Sequence, residues 1–73
     1  MSIALLMNLK TRLAKNVKKY LVKTPTTLEK FAYENGISKG YMSDIVNGKA
    51  NASLNTLEKL ARGLGIEPLD LLR

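Results

Sequence analysis

Residues 27–47 read T-L-E-K-F-A-Y-E-N-G-I-S-K-G-Y-M-S-D-I-V-N, from Thr27 to Asn47. Leu28, Phe31 and Ala32 fall on one side of a helix, at spacings of three and four. Gly36 interrupts the chain, Ile37 is apolar, and Ser38 is a residue that caps helices. Met42, Ile45 and Val46 then form a second apolar face. The pattern predicts two short helices, at about 27–35 and 38–47, joined by a tight turn.

Working outward, the chain upstream carries Leu6, Leu9, Leu13, Val17, Tyr20 and Leu21 on one stripe. Arg12, Lys15, Lys18, Lys19 and Lys23 lie mostly opposite. This predicts a first helix from about Ile3 or Asn8 to Val22. Thr24-Pro25 ends it, because a residue before proline avoids the helical region. Thr26 or Thr27 is the expected N-cap of the second helix, and Asn35-Gly36 its stop. Downstream, Asn47-Gly48 closes the third helix and Lys49–Ala52 is a loop. Ser53 opens a fourth helix with Leu54, Leu57, Leu60, Ala61 and Leu64 apolar, closed by Gly65. Glu67-Pro68 opens a short fifth helix, with proline at its favoured first position. No stretch alternates as a strand would. The expectation is an all-α, compact five-helix bundle.

A chain of 73 residues is expected to form a single domain, residues 1–73. It holds neither Cys nor His, so the thiol and imidazole groups of common metal sites and hydrolases are missing. Only carboxylates, Ser and Lys remain, with no paired-carboxylate or Ser–Lys arrangement evident. We therefore expect no enzyme, no metal, no cofactor and no small-molecule substrate. The apolar run Ile3–Leu9 lacks a basic leader and is too short to span a membrane, so a cytoplasmic protein is expected. Met42 reads as core, and Met1 and Met7 as an initiator and its loose neighbour. The net charge is +6. All of that excess lies in residues 1–23, where Lys10, Arg12, Lys15, Lys18, Lys19 and Lys23 face no acid. Residues 24–73 balance six bases with six acids. Such asymmetry points to a polyanion, with nucleic acid first and anionic lipid second, or simply to a solvated helix face.

The outer side of the third helix narrows the choice. At about 100° per residue, Met42, Ile45 and Val46 lie within roughly 100° of one another and are buried. Gly40, Ser43, Asp44 and Asn47 then lie on the free side, with Lys39 and Tyr41 flanking in the first turn. These side chains are short or hydrogen-bonding. A helix that enters the DNA major groove needs polar reach at its N-terminal end and little bulk. An ordinary amphipathic helix with a wet side shows the same periodicity.

Three further segments separate these readings. They are Gly36-Ile37-Ser38, Asn47-Gly48-Lys49, and Leu57-x-x-Leu60-Ala61-x-x-Leu64-Gly65-Ile66. With Ala32 and Tyr41-Met42-Ser43 they resemble the Cro/phage-repressor helix-turn-helix family, also called the xenobiotic-response-element type. The resemblance runs from Leu13 to Leu72 without insertion, roughly 60 of the 73 residues. It implies a lambda-repressor-like, five-helix DNA-binding domain, and usually a dimeric transcription regulator. It also implies roles. Lys39 would contact a base or phosphate at the start of the recognition helix. Gly40, Ser43 and Asp44 would read base edges, and Tyr41 would touch the sugar-phosphate backbone. Asn47, Gly48 and Lys49 would form a phosphate-contacting loop. Thr27 and Leu28 would open the second helix, whose backbone N–H groups meet a phosphate.

The chain departs from the family pattern in four places. Leu28 stands where Gln is frequent, so one side-chain phosphate contact is lost. Gly40 offers no side chain at a reading position. Asp44 can accept from cytosine N4 but repels phosphates. Leu21 and Val46 replace an Arg and a Glu that pair in many members. Losing one partner of such a pair strands a charge at a cost of about 3–5 kcal/mol, whereas replacing both is often neutral or better. The departure therefore predicts that Leu21 and Val46 touch. Tyr20 and Tyr33 are expected to be half-buried. Leu5, Leu6, Leu71 and Leu72 exceed what this bundle covers and suggest a self-association surface, or a missing C-terminal part.

Taken together, these features predict a sequence-specific, double-stranded-DNA-binding transcription regulator. It would be a repressor, binding a palindromic operator as a homodimer. The alternatives are a protein-interaction module with the same fold, such as an antitoxin or bridging factor, and a membrane-surface binder using the basic first helix. The second lacks Trp and Phe on that helix's apolar face.

Overall fold

Thr27 sits in extended conformation and its side chain accepts a hydrogen bond from Lys30 N at 3.1 Å. The computed structural model describes residues 9–73, and that cap starts the second of the four α-helices among those described residues. The helices are α1 (Leu9–Val22), α2 (Leu28–Glu34), α3 (Lys39–Val46) and α4 (Leu54–Leu64). A 3-10 helix, Pro68–Leu71, occupies the place of the expected fifth helix. The described residues contain no strand. The anticipated start of the first helix, at Ile3 or Asn8, lies outside them, as do Met1, Leu5, Leu6 and Met7.

Each boundary has a local cause. Ser38 and Ser53 repeat the capping of Thr27, accepting from Tyr41 N and Thr56 N three residues on. Between α2 and α3, Gly36 takes φ +68°. There Ile37 N donates to Ala32 O at 2.9 Å and Gly36 N to Tyr33 O at 3.3 Å, satisfying two carbonyls at the helix end. A side chain at Gly36 would strain this left-handed turn. Ile37 is thereby folded back into the core, which fixes the angle between the two helices.

The core is built from all five segments. Val17, Met42, Ile45, Leu60 and Leu71 are its most deeply buried large side chains. Helix α1 is the scaffold: it packs against α3, α4 and the 3-10 helix, while α3 also packs against α2. Asn16 tethers α1 to the chain's end, donating from Nδ2 to Leu71 O at 2.8 Å.

Two expectations about burial need correction. Tyr33 is not half-buried; it is 87% exposed. It follows Phe31 and Ala32 on α2, and a short helix has room for one buried face. Leu71 is not part of a free apolar surface. The 3-10 helix turns it inward, where its exposure is 0%. Leu72 is half-buried, packed against the core. The apolar excess lies elsewhere, at Val22, Leu54 and Leu69.

Candidate nucleic-acid interface

Burial of Met42, Ile45 and Val46 leaves α3 with one free side. Gly40, Asp44 and Asn47 are exposed on it and Ser43 is half-buried. No other segment of the described chain is folded over that side: a methyl group placed on Gly40 would meet nothing within 4 Å. The N–H groups of Lys39 and Gly40 precede the first intrahelical bond, so the same end also offers backbone donors.

Lys39 opens the helix and points back toward α2. Its Nζ lies 3.2 Å from Glu29 Oε1. Thr27 and Leu28 are close by in chain order, Thr27 exposed as the α2 cap and Leu28 packed partly against the core. Leu28, Ala32, Met42 and Ser43, with the two charged residues, line a small concavity of about 120 Å³ between the two helices.

Beyond α3, the Asn47-Gly48-Lys49 turn repeats the glycine turn between α2 and α3. Lys49 N donates to Asp44 O at 2.8 Å, and Gly48 N to Ile45 O at 3.2 Å. Gly48 faces Thr11 on α1: a Cβ there would lie 3.7 Å from Thr11 Cα. The turn therefore brings the N-terminal part of α1, with Lys10, beside Asn47 and Lys49. Asn47 Nδ2 donates to Ser43 Oγ at 3.3 Å, linking two of the candidate readers.

Tyr41 stands apart from this set. It is half-buried against the core, and its hydroxyl donates to Asn51 O at 3.2 Å, tying α3 to the loop before α4. Glu29 was not among the residues singled out from the sequence. Nothing in its spacing marked it, because its partner lies ten residues on, across the turn.

Helix α1 carries the charge excess. Lys15, Lys18 and Lys19 are exposed. Lys19 and Lys23 lie over the Tyr20 ring, at 5.4 and 5.8 Å from its centre. Leu21 and Val46 line one apolar groove of about 290 Å³, together with Lys18, Val22, Thr26 and Leu28. That is the place where the resemblance implied an ion pair. Among the described residues, no helix is long and apolar enough to cross a membrane.

The chain is similar in sequence and fold to known proteins. Control protein C.BamHI of Bacillus amyloliquefaciens is 42% identical over 52 residues, 71% of this chain. The match spans 64% of that relative's length. Control protein C.MunI of a Mycoplasma species is 42% identical over 60 residues, 81% of each chain. The crystal structure of the restriction-modification controller protein C.AhdI from Aeromonas hydrophila superposes with a TM-score of 0.79 at 26% identity, covering 85% of this chain and 94% of that one. The helix-turn-helix family model matches residues 17–71, so the chain belongs to that family, in its Cro/phage-repressor form.

Proposed function

We propose that this protein is a sequence-specific, double-stranded-DNA-binding transcription regulator that acts as a homodimer. The observation that carries the reading is the uncovered side of α3, with Lys39 at its N-terminal end and Gly40, Ser43, Asp44 and Asn47 along it. The relatives support it: two are control proteins, and C.AhdI is a controller of restriction-modification. By likeness, the genes under control are those of a restriction-modification system. The interaction-module alternative is set aside in favour of regulation.

In the docked state α3 enters the major groove. Asn47, Gly48 and Lys49 set the register on phosphates, together with backbone N–H groups at Thr27 and Leu28. Ser43 and Asp44 read base edges, with Lys39 between the two roles. Gly40 lets the backbone approach closely. Tyr41 positions the loop through its hydrogen bond to Asn51. Two copies place their recognition helices about 34–36 Å apart on a palindromic site. The whole chain acts as one domain in the cytoplasm, and repression follows from occupying a promoter.

Selection of bound duplexes from a random pool tests this reading. An inverted repeat with half-sites one helical turn apart is the expected product. Failure to enrich any sequence overturns the proposal. On the selected site, Lys49→Ala should weaken all sequences alike and flatten the salt dependence by about one unit in the log–log slope.

A further inference from the structure

The candidate contact set holds two lysines, and only one of them is anchored within the described residues. Lys39 Nζ is held at 3.2 Å by Glu29 Oε1. The pair joins the first turn of α2 to the first residue of α3, the two helix ends that the proposed docking presents to DNA. Both side chains are largely exposed, at 77% and 70%. Water and salt screen such a pair, so it adds little to folding. What it does supply is placement. A lysine is a compact charge on a flexible stem and reaches whichever anion is nearest. Here the carboxylate holds it at the rim of the concavity floored by Leu28, Ala32 and Met42, beside Ser43.

We infer that Glu29 is a positioning residue for sequence discrimination. It tethers the Lys39 ammonium where a base edge passes and withholds it from the neighbouring phosphates. The matching base is guanine, whose O6 and N7 acceptors take a lysine in the major groove. The inference rests on the DNA-binding reading above. Glu29 touches no base; it acts through Lys39. Without the carboxylate, the ammonium swings to a phosphate and becomes a sequence-independent contact. Each phosphate so neutralised adds about 0.9 to the salt slope.

The test is fluorescence anisotropy between about 50 and 200 mM salt, on a selected duplex and on a random one. Glu29→Gln should bind the random duplex several-fold more tightly and steepen its salt slope by about one unit. Its selected-to-random affinity ratio should fall by about tenfold, the loss of one good base contact. Lys39→Met should lower the same ratio. In the Lys39→Met background, Glu29→Gln should change neither ratio nor slope. Two results overturn the inference: a Glu29→Gln protein with wild-type ratio and slope, or equal changes with and without Lys39. A wild-type protein that does not discriminate between the duplexes overturns the DNA-binding reading itself, a different and recognisable outcome. Thermal melting of Glu29→Gln close to wild type confirms that the fold is intact.

Discussion

At the residue scale, Gly40 separates a folding requirement from a binding one. Its backbone angle is not in the left-handed region, and a methyl group there meets only open space. The protein itself gives no reason for glycine at this position, and in a helix glycine costs about 1 kcal/mol relative to alanine. Gly40→Ala should therefore raise the melting temperature by a few degrees, since about 1 kcal/mol is worth roughly 4–8 °C in a domain of this size. The same change should weaken binding to the selected duplex, because it adds bulk where the backbone approaches the bases. Calorimetry and anisotropy on one preparation check both signs. Unchanged affinity would mean that DNA does not approach α3 from this side. Gly63 is the opposite case. A Cβ there would lie 2.5 Å from Asn35 Oδ1. Asn35 is held by its bond from Nδ2 to Phe31 O at 2.8 Å. Gly63→Ala should thus destabilise by about 1–2 kcal/mol, overpacking outweighing the helix preference. A higher melting temperature would show that Asn35 yields freely.

At the scale of elements, the α1–α3 contact holds one of the four departures from the pattern that the resemblance implies. Leu21 and Val46 border one apolar groove, and Val46 is 9% exposed. Val46→Glu alone puts a carboxylate against Leu21 and Leu28 and should cost about 3 kcal/mol, roughly 12–24 °C in melting temperature. Leu21→Arg added to it should recover most of that loss by restoring the ion pair implied by the resemblance. No recovery in the double variant would show that the two positions are energetically independent. The glycine turns at Gly36 and Gly48 work on the same scale. Each satisfies carbonyls at a helix end and redirects the chain, so α3 is held at both ends by hydrogen bonds rather than by packing alone.

For the whole molecule, charge is distributed by task. The exposed lysines of α1 lie outside the proposed docking helix, and no acid on α1 offsets them. Their field should speed encounter with a polyanion and leave the choice of sequence untouched. Replacing Lys15, Lys18 and Lys19 together by Gln should slow association severalfold at low salt while preserving the selected-to-random ratio. Stopped-flow and equilibrium titration separate these effects. A changed ratio would place α1 in direct contact with bases.

Most of the fold was legible along the chain because its determinants are short-ranged. Thr27, Ser38 and Ser53 each accept from an N–H three residues on, and Gly36 and Gly48 turn the chain by their own backbone angles. The apolar periods marked Met42, Ile45 and Leu60 as core, and the free side of α3 followed from the same arithmetic. Three features depended on segments meeting in space. Leu71 is buried because Asn16 and α1 receive the 3-10 helix. The Tyr41 hydroxyl finds Asn51 only once the following loop folds back. Glu29 reaches Lys39 because the Gly36 turn sets the two helix starts side by side. Local hydrogen bonds and periodicity determine which helices form and which face each one hides; only packing determines which side chains from different helices share a neighbour, because that distance is absent from the order of residues.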